Sequence, residues 1–246
     1  MKKYHVLRLS LLSLIMLFSC SGDDDGNTQI IQSGFFPSKI TTATIPGGNQ
    51  TEYSFSYNNQ NQISSIIQNG GLFDVSFEYD NEGFINIVSS VNLGFEASLE
   101  YDGDILVKLI NTQDGIETPI LYAANTYTDL SGNLVRHDTE NNMVEFEDGN
   151  SSIDIMYNSN EGPFSKIDFQ PVFYLLGEDF LRASFYMSAS EINQIMFTSS
   201  VIGEDPSTTY AVVVERNEND LITKATLNNQ LTGEPFLEYI IEYTER

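Results

Sequence analysis

Phe73-Asp74-Val75-Ser76-Phe77-Glu78-Tyr79-Asp80-Asn81-Glu82-Gly83-Phe84-Ile85 is the stretch that decides the fold. In its first half Phe73, Val75, Phe77 and Tyr79 alternate with Asp74, Ser76, Glu78 and Asp80. A period of two sends one set to each face of an extended chain, the pattern of a half-buried strand. Asp80 to Gly83 then make a turn, because Asp and Asn tolerate the left-handed backbone of a tight hairpin and Gly adopts it freely. Phe84 and Ile85 open a second apolar strand. The unit is a β-hairpin.

Working outward, the same unit recurs. Tyr57-Asn58-Asn59, Tyr79-Asp80-Asn81 and Tyr101-Asp102-Gly103 stand 22 residues apart, and each leads into a second apolar strand near Ile63, Phe84 and Ile105. Weaker copies lie at Tyr127-Thr128-Asp129, Tyr157-Asn158-Ser159 and Arg216-Asn217-Glu218. Tyr53, Phe55 and Tyr57 alternate with serines, and Phe95, Ala97, Leu99 and Tyr101 alternate with Glu96, Ser98 and Glu100. Leu237, Tyr239, Ile241 and Tyr243 repeat the pattern near the end. No long segment places apolar residues at i, i+3, i+4 and i+7. The chain therefore reads as all-β: an antiparallel meander of repeated hairpins, roughly 12 to 15 strands, curled into an open or closed β-barrel. Pro171 to Ile195 breaks the alternation. It reads as a short helix near 172–181, or as a long connection plugging one mouth of the curled sheet.

The first residues carry an address. Lys2, Lys3 and Arg8 precede a mostly apolar run from Leu9 to Phe18. That run is far short of the roughly 20 residues a membrane-spanning helix needs, so it reads as a signal-peptide core. Leu17-Phe18-Ser19-Cys20 closes it with the only cysteine of the chain. This resembles a bacterial lipobox, which implies acylation of Cys20, cleavage just before it and a palmitate-type anchor. Three segments follow: a lipoprotein signal peptide over 1–19, a flexible acidic tether over 20–34 and a single hairpin-repeat domain over 35–246. Fully extended, about 14 tether residues reach roughly 45 Å.

The Tyr-Asp-x-x-Gly-x-hydrophobic unit, clearest at Tyr79 to Ile85, resembles the YD-type repeats of bacterial surface proteins. Together with the lipobox it resembles a group of Bacteroidetes-type surface lipoproteins to which no activity is assigned. Tyr157 to Ile167, with Gly162-Pro163-Phe164, is similar to a recurring feature of that group. The resemblance implies a barrel-like antiparallel sheet and an outer-membrane location, lipid-anchored at the cell surface. It also implies that Ser21, Gly22, Asp23, Asp24 and Asp25 form an acidic surface-export signal.

Charge narrows the partners. The chain carries 35 acidic against 11 basic residues, a net charge of −24. Cleavage before Cys20 removes three basic residues and no acidic one, which lowers it to −27. Phosphate binding depends on Lys and Arg contacts, so nucleic acid is excluded as a partner. With Cys20 acylated no thiol is left for disulfides, thiolate catalysis or metal ligation. His137, between Arg136 and Asp138, is the only imidazole after the leader and reads as a polar residue beside a turn; a Ser-His-Asp set would have to rest on it alone. Neither Asp23-Asp24-Asp25 nor Asn158-Ser159-Asn160-Glu161-Gly162 has the ligand spacing of a calcium loop. No phosphate-cradling glycine motif occurs, and no cofactor or metal is assigned. Carboxylates such as Glu78, Glu96 and Glu100 sit at alternating strand positions, as on a solvated sheet face. With 13 Tyr, 16 Phe and no Trp, the aromatics read mainly as core and cross-strand packing.

The expected function is a non-catalytic binding or scaffold module at the cell surface, its ligand a protein or a glycan. Two alternatives stand beside it. One is a carboxylate-dependent hydrolase of extracellular glycans, which needs two carboxyl groups about 5 to 9.5 Å apart. The other is an accessory subunit of an outer-membrane uptake or secretion complex.

Overall fold

The computed structural model describes residues 33–246 apart from 72, 129–131, 168, 169, 171, 172, 174–186 and 200–206. The lipobox, Cys20 and Ser21 to Asp25 lie outside the described residues, as do the leader and nearly all of the tether. Among the described residues seventeen strands form one antiparallel sheet. In chain order they are β1 (Phe35–Thr44), β2 (Gln50–Tyr57), β3 (Ile63–Gln68), β4 (Asp74–Tyr79), β5 (Ile85–Ser90) and β6 (Phe95–Asp102). Next come β7 (Ile105–Asn111), β8 (Glu117–Pro119), β9 (Leu121–Ala123), β10 (Thr126–Thr128), β11 (Leu134–His137) and β12 (Met143–Glu147). The last are β13 (Ser151–Glu161), β14 (Ser190–Ser199), β15 (Ser207–Arg216), β16 (Ile222–Asn229) and β17 (Pro235–Glu245).

The expected meander is present, and it curls into a nearly closed barrel. β1 pairs with β2 on one side and with β17 on the other. β8 pairs with β7 and β9 with β10, and Ile120 between them donates its N–H to the Val107 carbonyl at 2.8 Å. The three-residue strands β8 to β10 raise the number above the expected 12 to 15. They carry too few residues for an alternation to be visible in sequence.

Alternation sorts the side chains as expected. Val75 and Phe77 of β4 are buried, whereas Ser76 and Glu78 face out. The buried set, including Phe36, Ile40, Ile63, Ile66, Ile85, Tyr127, Leu227 and Tyr239, forms one core cluster. The outward face carries ionic triads among exposed apolar residues such as Ile67, Met156, Val213 and Ile240. Lys39 lies between Glu52 and Glu242, Lys108 between Glu100 and Glu117, and Lys224 between Glu215 and Glu238. Each triad spans three adjacent strands. Exposed pairs of this kind add little stability, but they fix which face meets water.

The tyrosine-turn repeat has a physical basis. The hydroxyls of Tyr57, Tyr79, Tyr101, Tyr157 and Tyr243 donate to the carbonyls of Pro37, Ile63, Ile85, Met143 and Ile222 at 2.6–2.9 Å. In each case the acceptor lies on the preceding strand of the barrel wall. Burial raises the pKa of the Tyr57, Tyr101 and Tyr243 phenols far above the ordinary tyrosine value, so they stay protonated as donors. The Oδ1 atoms of Asn58, Asp80, Asp138 and Asn217 accept N–H bonds from the residues two and four positions on, at 2.8–3.1 Å. The residue three positions on has positive φ: Asn61, Gly83, Asn141 and Asp220. The strand register shifts immediately before each of these turns.

This geometry corrects the list of repeats. Tyr127 stands one residue from the end of β10, as Tyr101 does in β6, while Asp129 of its expected turn lies outside the described residues. Tyr157-Asn158-Ser159 is no turn, because β13 runs through it to Glu161. His137-Asp138 is a true copy, with His137 in the tyrosine position, as Arg216 is in the last one.

The break in alternation ends earlier than expected, since Ser190 to Ile195 belong to β14. Before it, residues from Gly162 enter one mouth of the barrel. Phe164 packs edge-on against Phe55 at 5.3 Å, and Phe173 lies 4.7 Å from Phe77. Both are buried. Phe173 sits in a 3-10 turn, while the rest of the expected helix at 172–181 lies outside the described residues.

Candidate functional site

The plugged mouth is the end where the tyrosine turns gather. The chain enters and leaves there too, with Gly34 and Arg246 exchanging backbone hydrogen bonds of 3.0 and 2.9 Å. A cavity of about 490 Å³ lies between the β4–β5, β6–β7, β9–β10 and β11–β12 turns. Gln170 closes its inner side. Its Oε1 accepts the Ile85 N–H at 2.9 Å, and its Nε2 donates to the Gly83 carbonyl at 2.7 Å.

His137 lines this cavity and is only 8% exposed. Its ring stacks on Tyr127 at 5.4 Å and on Tyr122 at 6.3 Å, both at 24°. Nδ1 lies 3.3 Å from the Asp138 carbonyl, which can only accept, so Nδ1 carries the proton. That leaves Nε2 as a lone-pair acceptor, and it is buried with no hydrogen-bond partner among the described residues. Burial holds the imidazole below its ordinary value of 6.5, outweighing the pull of the Asp138 carbonyl. A tyrosine here would reach the carbonyl of the preceding strand, whereas the shorter histidine does not. Sequence reading took His137 for a turn residue and missed its burial. The signal was its place one residue before a turn-forming Asp.

The remaining lining combines the aromatic rings of Phe84, Tyr101 and Tyr122 and the carboxylates of Glu82, Asp104 and Asp138 with the neutral polar side chains of Asn125, Thr139 and Asn141. It contains no Lys or Arg. Glu78, Glu96 and Glu100 are elsewhere, on the outer sheet face, where Glu100 pairs with Lys108 and Glu96 accepts the Thr112 hydroxyl. They make no catalytic pair at this mouth.

A second cavity of about 450 Å³ opens beside Arg216, Lys166 and Tyr243. Its wall is structural. Arg216, again in a tyrosine position, pairs with the buried Glu191 at 2.5 Å, and Asn158 and Asn160 donate to the same carboxylate. Burial alone would raise the Glu191 pKa, but these donors together hold it below the ordinary 4.5. Glu191 therefore stabilises the fold fully above that value, and its contribution is lost as pH falls through the lower, folded-state value. Urea midpoints measured across the acid range should fall for the wild type and change less for Glu191→Gln. That variant starts lower, because it removes the buried charge partner of Arg216 and leaves only the exposed Asp220. Parallel acid limbs for the two proteins would contradict the assignment.

No protein-family model and no curated protein matches the chain. Among solved structures, a porin-like protein from Bacteroides vulgatus is similar over 86% of this chain and 99% of its own, at 12% identity and a TM-score of 0.44. A porin-like protein from Bacteroides uniformis is similar over 85% and 98%, at 13% identity and a TM-score of 0.33. Likenesses this distant carry no functional inference.

Proposed function

We propose that this chain is a non-catalytic binding module, held at the outer membrane by a lipid on Cys20 and displayed at the cell surface, with its ligand taken at the plugged mouth of the barrel. One observation carries the reading: the sheet gathers its aromatic and aliphatic core inward and sets ionic triads across strands on its outward face. A barrel that spans a membrane presents an apolar band outward and a polar lumen inward. Here Lys39, Lys108 and Lys224 with their glutamates occupy the outer face, and phenylalanines fill the lumen. A water-borne barrel of this kind needs a separate anchor, and the lipobox supplies one. The lone imidazole speaks against hydrolysis by a Ser- or Cys-type nucleophile, since that chemistry needs a hydroxyl or thiol bonded to the base.

The test is behaviour without detergent. The chain from Ser21 onward, which contains every strand, should purify from aqueous buffer as a folded, strand-rich protein. It should add no conductance to planar lipid bilayers. A need for detergent to stay folded, or stepwise channel currents, would overturn the reading.

A further inference from the structure

The mouth cavity also indicates what kind of molecule it takes. A buried polar atom without a partner is costly, because its desolvation is uncompensated. His137 Nε2 is such an atom, and its lone pair asks for a donor. Asp138 is not free to supply anything: its Oδ1 accepts the Glu140 and Asn142 N–H groups and its Oδ2 accepts the Asn142 amide. Gln170 is likewise engaged at both ends. Glu82 and Asp104 add acceptors to a wall that carries no cationic side chain. Phe84 and Tyr101, with ring centroids 5.1 Å apart, and Tyr122 add aromatic surface. Aromatic faces and carboxylates both attract a cation, the former through the ring quadrupole. An anion would find no cationic side chain there, only the neutral donors of Asn125, Thr139 and Asn141 beside the carboxylates of Glu82, Asp104 and Asp138. Metal ions are a poor match, because the described residues hold no cluster of three or more His, Cys, Asp or Glu ligands.

We propose that the mouth binds a small organic cation whose ammonium group donates to His137 Nε2 and whose carbon skeleton lies against Tyr101 and Tyr122. The inference rests on the reading of this mouth as the ligand site. The repeat sharpens it. Five tyrosine hydroxyls close onto backbone carbonyls of the barrel wall, whereas His137 at the corresponding position leaves a buried acceptor unpaired in the cavity wall.

The experiment uses the chain from Ser21 onward, in which His137 is the only histidine. Its Nε2 is therefore a single resonance in a ¹⁵N-imidazole spectrum. Benzylamine is the cationic probe, benzyl alcohol its neutral match, and methyl glucoside stands for a saccharide. Benzylamine should bind saturably and shift Nε2, at least ten-fold more tightly than benzyl alcohol. His137→Phe keeps the ring and removes the lone pair, so it should weaken benzylamine about ten-fold, the effect of one lost hydrogen bond. His137→Tyr should lose binding equally while matching or exceeding the wild-type melting temperature, because it restores the phenol of the other repeats. A tighter response to methyl glucoside than to benzylamine would overturn the cation and leave the mouth as the site. Silence of Nε2 toward all three probes would overturn both.

Discussion

Cys20→Ser is expected to move the protein from the membrane fraction to an unprocessed or unlipidated form, with complete loss of palmitate labelling. On the proposed reading the Cys20 thiol is the group acylated, and serine offers no thiolate in its place. Each buried CH₂ contributes roughly 0.8 kcal/mol of membrane attachment, so a multiply acylated cysteine holds essentially permanently and its loss is close to all-or-none. The Lys39, Lys108 and Lys224 triads on the outward face disfavour a strand-borne substitute for the lipid. The anchor also sets where the barrel shows itself. With Asp23, Asp24 and Asp25 replaced by Ala, the lipid should remain but the domain should stay on the periplasmic side. Protease added to intact cells should then digest the wild type and spare the triple variant. Palmitate-labelled Cys20→Ser protein, or equal protection of wild type and triple variant, would remove the anchor or the surface display respectively.

The barrel wall was readable because its signals are local. Period-two alternation from Phe73 to Tyr79 needs no knowledge of the partner strand. An Asx residue that binds N–H groups two and four positions ahead is a five-residue event. A repeat traced by its tyrosine and not by its turn, however, passes over His137-Asp138. Turn chemistry is the better marker, since it dictates the backbone, whereas the tyrosine position also accepts His137 and Arg216. The cavity was illegible for a different reason. It is made where four turns and Gln170 converge, with Gln170 bonded to residues 85 and 87 positions away. Separations of that size leave no periodic trace. Glu191 with Arg216, 25 residues apart, escaped in the same way, hidden among many solvated acids.

The segment that plugs the mouth should prove to be core and not ornament. Phe164 is fully buried against Phe55, and its N–H donates to the Ser188 carbonyl at 3.2 Å. Truncating a buried Phe to Ala costs about 3–5 kcal/mol, from lost transfer energy and the cavity left behind. In a domain of this size that is a fall in melting temperature of roughly 6–20 °C. Gly162, two residues earlier, should be as intolerant for a steric reason. A Cβ there would stand 2.5 Å from both the Ser188 and the Ser190 carbonyl oxygens, and both are backbone atoms. Gly162 also donates its N–H to the Ala189 carbonyl at 2.7 Å, so the two chain segments cannot part without losing that bond. Gly162→Ala should therefore destabilise although it adds one methyl group. If the segment only rested on the barrel, Phe164→Ala would cost less than about 1 kcal/mol, as surface changes do. Thermal unfolding of the two variants decides between these cases. A large loss in both makes the plug part of the folding unit, so that the mouth holding His137 is built by the fold as a whole.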